Sequence, residues 1–313
     1  MTLKIQRLLV RAKKLTKKGE LEESKKIYSA ILKSSPENQE AKKELSILVK
    51  RKQISPTQKQ INEVIQLYSS GQMQNALTTN QLLLKNFPNE PLLLNINGVC
   101  FSQIGPIESA IDSFKKAIAL KPDYIEAYYN LGAAFQRIHK LDDATECYEK
   151  AITLKHSYPE AHNNLGIIML ERNQLDIAVK SFEWAVAYNP NYAEAFNNLG
   201  AVYQELNQFE KAIKQYQKAI TINPGYAQAF NNLGCSCEIL GFENEALIHY
   251  EKAITCNPGF AEAYRNLSNI KKFTEKDPQI GQMQSLNSSS DVSLSEKVQL
   301  NFALAKVNEN LGN

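Results

Sequence analysis

The stretch Ala-Glu-Ala-Phe-Asn-Asn-Leu-Gly at residues 193–200 decides how this sequence is interpreted, because it returns as Ala-Gln-Ala-Phe-Asn-Asn-Leu-Gly at 227–234. Weaker copies are Glu-Ala-Tyr-Tyr-Asn-Leu-Gly at 126–132 and Glu-Ala-His-Asn-Asn-Leu-Gly at 160–166. The glycines that close these copies, with one more upstream, fall 34 residues apart: Gly98, Gly132, Gly166, Gly200 and Gly234. A fixed period of this length predicts stacked helical repeats rather than one closed core.

Small residues also keep the period in the second half of each repeat. The two alanine series are Ala110, Ala144, Ala178, Ala212 and Ala246, and Ala117, Ala151, Ala185, Ala219 and Ala253. A glycine inside a helix costs about 1 kcal/mol against alanine. Its repetition in the first helix (helix A) predicts that another helix comes too close for a Cβ, and the alanines of the second helix (helix B) predict the same close packing.

This spacing resembles the tetratricopeptide repeat (TPR) over about residues 5–268, most specifically over 91–260. The resemblance implies an all-α fold, a right-handed superhelical solenoid of antiparallel helix pairs in which helix A of each pair lines a concave groove. About seven repeats are expected, followed by a capping helix and a C-terminal orphan helix. Such arrays are interaction scaffolds, so the fold does not identify a partner.

Breaks in the pattern predict four segments. Residues 1–56 form a degenerate basic repeat with a linking helix, and 57–268 form the array, with its best repeats at 91–260. Residues 269–292 are expected to be a cap end and polar linker, and 293–313 a helix equal to half a repeat. That helix opens with the capping-box pattern Ser293-Leu-Ser-Glu296. Its apolar face would stay uncovered unless it docks back on the array.

The tail also carries a second resemblance. It looks like the junction in bacterial TPR sulfotransferases, and the repeats are similar, more distantly, to the arm of TPR O-linked N-acetylglucosamine transferases. The residues that carry the tail resemblance are Asp277-Pro-Gln-Ile280, Met283, Leu286, Leu294-Ser295, Phe302-Ala-Leu-Ala-Lys306 and Leu311-Gly312. In the sulfotransferases a catalytic domain follows, whereas this sequence has no strand–loop–helix for a sulfonate donor.

Charge and cysteine content favour a soluble cytoplasmic protein. The net charge of +3 argues against a dedicated nucleic-acid binder, although residues 1–59 carry a net charge of +10, which is interpreted as a solvated helical surface. Five cysteines without a CxxC pattern fit a reducing compartment. No signal peptide and no apolar run long enough to span a membrane is visible.

The sequence contains no catalytic constellation, so the chain is predicted not to be an enzyme by itself, and to need no cofactor or metal. It lacks a Gly-rich phosphate loop and a G-x-S-x-G stretch. Its four histidines are scattered, and two of them, His162 and His249, are interpreted as packing residues. Cys235-Ser-Cys237 has no second cluster with which to hold a metal.

One repeated polar group is the candidate binding site. Repeat three is residues 91–124, and repeats four to eight begin at residues 125, 159, 193, 227 and 261. An asparagine recurs at the sixth position of repeats four to eight, and a second one precedes three of these; the eight residues are Asn130, Asn163, Asn164, Asn197, Asn198, Asn231, Asn232 and Asn266. A carboxamide offers both a donor and an acceptor, so one per repeat could bind an extended peptide backbone. The alternative is that each asparagine only bonds the neighbouring helix. Glu171, Glu205 and Glu238 would add negative charge to the groove wall, favouring a basic segment.

Three hypotheses of function follow. The first is a scaffold that binds an extended peptide or protein segment in the concave groove through the asparagines. The second is the substrate-binding or regulatory arm of a transferase, a sulfotransferase or glycosyltransferase, whose catalytic domain is not in this sequence. The third is self-association, in which the helix at 293–313 finds its partner in another subunit.

Overall fold

The computed structural model describes residues 3–17, 20–50 and 55–312, which hold α-helices and no strand. Glycine at position 19 predicts a turn between the first two helices, and Gly19 lies outside the described residues. The helices, in chain order, are α1 (Leu3–Lys17), α2 (Leu21–Ser34), α3 (Gln39–Lys50), α4 (Gln58–Ser69), α5 (Met73–Asn86), α6 (Pro91–Ile104), α7 (Ile107–Leu120), α8 (Ile125–Arg137), α9 (Leu141–Leu154), α10 (Pro159–Glu171), α11 (Leu175–Tyr188), α12 (Ala193–Glu205), α13 (Phe209–Ile222), α14 (Ala227–Ile239), α15 (Glu243–Cys256), α16 (Ala261–Ile270), α17 (Pro278–Ser288) and α18 (Leu294–Leu311). The all-α, repeating helix-pair fold is thereby confirmed.

The chain divides into two compact units, residues 1–93 and residues 94–313. In the first unit, α1 and α2 pack around Tyr28, and the Ser24 hydroxyl donates to the Ala12 carbonyl across 2.9 Å. Helix α4 begins with a capping box, in which Thr57 accepts from the Gln60 N–H and the Gln60 side chain accepts from the Thr57 N–H. The buried Asn80 Nδ2 donates to the Leu93 carbonyl across 2.8 Å.

The second unit is built of helix pairs whose two members are joined by short turns and packed on each other: α8 with α9, α10 with α11, α12 with α13, and α14 with α15. The predicted close approach at the glycines is confirmed. A Cβ at Gly200 would lie 2.6 Å from the ring of Tyr216, which is fully buried on helix B of the same repeat. The same pairing joins Gly98 with Phe114, Gly132 with Tyr148, Gly166 with Phe182, and Gly234 with Tyr250.

The turn between helix A and helix B places one residue in the left-handed region. His139, Asn173 and Asn207 have φ of 55°, 57° and 56°, and Gly241 occupies the same place in repeat seven with φ of 82°. Glycine adopts this conformation without the steric cost that a Cβ imposes. Three of the four turns therefore carry backbone strain that a glycine would relieve.

The carboxyl-terminal end differs from the predicted linker and orphan helix. Helix α16 is only ten residues long and ends at Ile270, and residues 269–292, expected to be a cap end and polar linker, contain α17. Helix α18 packs on both α16 and α17. Helix α18 therefore docks back on the array, which covers part of its apolar face within the chain.

The face of α18 that becomes buried is narrower than its apolar pattern suggested. Leu300, Ala303 and Val307 are fully buried, whereas Val298 and Phe302 are 59% and 43% exposed. Helix α17 contributes Met283 to the same core, and Phe273 joins it from the segment before α17.

Candidate functional site

The asparagines at the sixth position of helix A, here called the Asn ladder (Asn130, Asn164, Asn198, Asn232 and Asn266), join successive repeats. Asn198 Nδ2 donates to Asn163 Oδ1 across 3.0 Å, and Asn232 Nδ2 donates to Asn197 Oδ1 across 3.1 Å. Asn266 Nδ2 donates to Asn231 Oδ1 across 2.9 Å. Each donor thus reaches the fifth position of the preceding repeat, which is the inter-helix bonding that the sequence left as an alternative.

The hydrogen bonds of the ladder reach one repeat further upstream than the sixth-position asparagines themselves, into repeat three. Asn130 Nδ2 donates to Oδ1 of Asn95, which is the fifth residue of repeat three and is 8% exposed. The sequence analysis missed Asn95 because Ile96 occupies the sixth position in that repeat. The signal that could have found it is the fifth-position series itself, since Asn95, Asn163, Asn197 and Asn231 differ in number by multiples of 34.

Repeat four is the exception, because Tyr129 stands where the other repeats have a fifth-position asparagine. There Asn164 Nδ2 lies 3.1 Å from the Tyr148 hydroxyl oxygen and 3.4 Å from that of Tyr129. The ring of Tyr129 lies 5.9 Å from that of Tyr148 and 5.2 Å from that of Tyr158. Burial raises the pKa of Tyr129, while the hydrogen bond with Asn164 acts in the opposite direction.

The fifth-position asparagines and the ladder asparagines differ in exposure. Asn163 and Asn231 are fully buried and Asn197 is 6% exposed, whereas all five ladder residues are half-buried. The buried carboxamides also donate onward: Asn163 Nδ2 lies 3.4 Å from Glu194 Oε1, and Asn231 Nδ2 lies 3.1 Å from Glu262 Oε1. The structure therefore pairs three of the ladder asparagines with the buried asparagines of the preceding repeat, and it leaves all five ladder residues half-buried.

The glutamates expected on the groove wall fall into two groups. Glu171 and Glu205 are exposed. Glu238 is half-buried, and its Oε2 accepts a hydrogen bond from the Tyr250 hydroxyl across 2.6 Å. The same position of helix A in repeats four and six holds Gln136 and Gln204, which accept from the hydroxyls of Tyr148 and Tyr216. The side chain at this position therefore accepts a hydrogen bond from the buried tyrosine of its own repeat, in addition to being partly exposed.

A tyrosine stands immediately before helix A in repeats four to seven, as Tyr124, Tyr158, Tyr192 and Tyr226. Burial raises the pKa of Tyr192 and Tyr226, and the nearby carboxylate of Glu194 raises both further. Burial likewise raises the pKa of Tyr158, with Tyr129 and Glu160 adding to the effect. These hydroxyls are neutral hydrogen-bonding groups, and the rings and carboxylates lie close to one another along the starts of the A helices.

The two histidines interpreted as packing residues are held away from water. His162 is 7% exposed, its Nε2 lies 2.9 Å from the His156 carbonyl oxygen, and its ring lies 5.7 Å from Tyr188. His249 lies 6.3 Å from the Phe230 ring, and its Nδ1 is buried with no hydrogen-bond partner. Burial lowers the pKa of both histidines.

Neither a cluster of metal ligands nor a membrane-spanning helix is found in the part of the chain that the structure describes. No three His, Cys, Asp or Glu side chains in this part of the chain lie together as metal ligands would. None of the described helices combines the length and the apolarity needed to cross a bilayer.

Sequence models of tetratricopeptide repeats match the central repeats. One, the tetratricopeptide repeat, covers residues 125–158 and 193–226, and a second, the TPR repeat, covers residues 101–138 and 168–207. Among curated proteins, DnaJ homolog subfamily C member 3 of Mus musculus is 29% identical over 123 residues, which cover 39% of this chain. The human protein is 28% identical over the same length. This chain spans 24% of the length of these relatives.

Solved structures share the fold. The APC/C hetero-tetramer Cut9–Hcn1 has a TM-score of 0.60 and 18% identity, covering 95% of this chain and 55% of that chain. YrrB, a TPR protein with an unusual peptide-binding site, has a TM-score of 0.50 and 22% identity, covering 59% of this chain and 95% of that chain. At these identities the likeness shows the fold alone.

Proposed function

This chain is a tetratricopeptide-repeat protein, and we propose that it is a non-enzymatic scaffold that binds an extended peptide or protein segment in its concave groove through the Asn ladder. The partner is a protein, and no nucleic acid or cofactor takes part. The fold that it shares with YrrB, a TPR protein with a peptide-binding site, supports the class of function. A cytoplasmic location stays a prediction.

The hydrogen bonding of the ladder is the observation that supports peptide binding. Each ladder carboxamide donates to the preceding repeat, which fixes its orientation. Asn130, Asn198 and Asn232 use one N–H in this way and retain the second. Asn164 Nδ2 instead lies within hydrogen-bonding distance of two tyrosine hydroxyls, and Asn266 Nδ2 also lies 3.4 Å from Cys235 Sγ. Within the described part of the chain, the Oδ1 atoms of Asn130, Asn164, Asn198 and Asn266 accept no hydrogen bond, whereas Asn232 Oδ1 accepts from Gln228. The fixed, half-buried carboxamides therefore leave a donor, an acceptor or both in successive repeats, and these match the groups of an extended peptide backbone.

The test compares two triple variants that disturb the same network. N164A/N198A/N232A removes three surface carboxamides, and N163A/N197A/N231A removes three buried ones. A random library of 12-residue peptides is selected against the unchanged protein, and the affinity of the selected peptides for each variant is then measured. Thermal unfolding is recorded in parallel, because loss of a partner from a buried polar group costs about 1–3 kcal/mol.

We expect the surface triple variant to lose peptide binding at a temperature where both variants remain folded. The buried triple variant should lose less of it, because it keeps the surface carboxamides and removes only the bonds that orient Asn198 and Asn232. Unchanged affinity in the surface variant would contradict the proposal. Equal losses in the two variants would show that the asparagines act only by holding the repeats together.

The arm of a transferase is the alternative function, and it is supported by the tail resemblance at residues 277–312. Several of the apolar residues that carry this resemblance, Ile280, Met283 and Leu286 in α17 and Ala303 in α18, pack in the same cluster as Tyr264 and Leu267 of α16. Their packing role is a sufficient reason for their presence. The intact mass of the native protein tests this alternative: a value near 35.3 kDa would contradict it, and a much larger one would support it.

A further inference from the structure

In two repeats, a lysine of the chain covers the ring of the tyrosine that precedes helix A. Lys121 Nζ lies 4.9 Å from the ring centre of Tyr124, and Lys155 Nζ lies 5.2 Å from that of Tyr158. In both cases the lysine is the residue that directly follows helix B. An ammonium group at this distance from an aromatic face is stabilised by the cation–π interaction. These two rings therefore already hold a cation.

The next two repeats keep the tyrosine but replace the lysine by asparagine. Asn189 Oδ1 accepts from the Asn191 N–H and Asn223 Oδ1 accepts from the Gly225 N–H, each across 3.1 Å, so both side chains bond to their own loops. No lysine or arginine among the described residues lies over the ring of Tyr192 or Tyr226. These half-buried rings thus occupy the same place in the repeat as Tyr124 and Tyr158, without the cation.

A carboxylate belongs to the same stretch of the array. Glu194, the second residue of α12, follows Tyr192 by two residues and is exposed, and its negative charge raises the pKa of both Tyr192 and Tyr226. Asn163 Nδ2 lies 3.4 Å from Glu194 Oε1, an arrangement that steadies the carboxylate while leaving its other oxygen available. An incoming cation would meet an unneutralised negative charge next to two aromatic faces.

We propose that Tyr192, Tyr226 and Glu194 form a subsite for one lysine or arginine side chain of a bound polypeptide. The inference rests on the proposed function, since it gives the groove a preferred side chain at a fixed place along the array. In the two preceding repeats, a lysine of the chain itself makes the cation–π interaction with such a ring. The subsite lies in the repeats that lack such a lysine, so a bound segment would place its basic residue beside repeats five to seven.

The first experiment examines the subsite without a peptide. The protein, with ¹³C-labelled tyrosine rings, is titrated at constant ionic strength with N-acetyl-lysine N-methylamide, and separately with the norleucine analogue, which lacks the charge. We expect the lysine probe to shift the ring signals of Tyr192 and Tyr226 and to leave Tyr158, which Lys155 already covers, unshifted. Equal shifts from the two probes, or equal shifts at all three rings, would overturn the inference.

A second experiment fills the subsite from within the chain. The variant N189K/N223K places a lysine before each ring at the position that Lys121 and Lys155 have in their repeats, and it should abolish the shifts caused by the lysine probe. The variant N257K is the matched control, because it adds a lysine at the same position before Phe260 in the next repeat. Loss of the shifts in the control would attribute the effect to general charge repulsion and overturn the inference.

Peptide binding separates this inference from the proposed function. A selected 12-residue peptide with one central lysine is compared with the same peptide carrying norleucine there. We expect binding about 2- to 30-fold tighter with lysine. Equal affinities would overturn the subsite and leave the groove function standing. Ring shifts with the free lysine probe, but no peptide binding, would support the subsite and contradict the groove function.

Discussion

The ring of Tyr216 occupies the space that a side chain on Gly200 would need. A Cβ at Gly200 would come within 2.6 Å of Tyr216 Cε1, a distance that side-chain carbon atoms in folded proteins do not reach. Helix A therefore accepts the unfavourable helix propensity of glycine so that a full aromatic ring of helix B can be buried against it. The same geometry recurs in five successive repeats, with tyrosine or phenylalanine as the ring.

Replacing this glycine should destabilise the protein in spite of alanine's better helix propensity. We expect G200A to lower the free energy of unfolding by about 1–3 kcal/mol, because the ring of Tyr216 is fully buried and has to shift. Urea denaturation measures the change. G281A is the matched control, since a Cβ on Gly281 in α17 meets nothing within 4 Å, and this substitution should stabilise by about 0.4–1 kcal/mol. A neutral or stabilising G200A would contradict the packing argument.

The left-handed turn residues give a prediction of the opposite sign. His139 has φ of 55°, in the region where a Cβ costs about 1–2 kcal/mol. Glycine avoids this cost, although it loses about 0.5–1 kcal/mol through the entropy of the unfolded chain. We therefore expect H139G to raise the free energy of unfolding slightly, by about 0.5–1 kcal/mol.

The control for this substitution is the adjacent residue. Lys140 has φ of −85°, an ordinary backbone conformation, so K140G should only destabilise. Thermal or urea denaturation of both variants against the unchanged protein gives the comparison. If H139G and K140G lowered stability alike, the strain assigned to the left-handed turn would not exist.

The 34-residue period of the sequence was sufficient to predict the helix pairs and the close approach at the glycines, because both features recur in successive repeats. Helix α17 could not be predicted in the same way. It has no counterpart in the other repeats, and only Met283 among its residues is buried, so its pattern resembles that of a linker.

The hydrogen-bond partners of the ladder asparagines could not be predicted from the sequence either, because a carboxamide that bonds a neighbouring helix and one that binds a peptide look identical in a sequence. Only the structure separates half-buried Asn198 from Asn197, which is 6% exposed.

Acidification should weaken the fold through His162, which is buried, and through the half-buried His249. Burial lowers the pKa of His162 and His249 in the folded state, whereas an unfolded histidine titrates near 6.5. The unfolded state then binds more protons as the pH falls below this value, so the free energy of unfolding decreases with it. The contribution is intact above about pH 6.5 and is lost progressively toward the lower folded-state pKa.

The variant H162F isolates one of these contributions, since phenylalanine occupies the same position in repeats six and seven as Phe196 and Phe230. Urea denaturation of H162F and of the unchanged protein is compared at pH 7.5, 6.5 and 5.5. We expect the stability difference between the two proteins to shift in favour of H162F as the pH falls. A difference that stays constant over this range would show that His162 takes up its proton equally well in both states.

Self-association through residues 293–313 would have to use the apolar side chains of α18 that stay exposed, one of which, Phe302, also has Arg265 of α16 over its ring at 5.1 Å. Leu294, Val298 and Phe302 lie four residues apart on one face of the helix, with 81%, 59% and 43% of their surfaces exposed. If the chain associates there, L294Q/V298Q should lower the mass measured by light scattering to that of a 35.3 kDa monomer, with little change in the unfolding temperature. The contrasting variant L300Q alters a fully buried residue of the same helix, so it should lower stability instead. An identical mass for the unchanged protein and L294Q/V298Q would exclude this face as an interface, and a monomer in both would leave α18 with the single role of closing the end of the hydrophobic core.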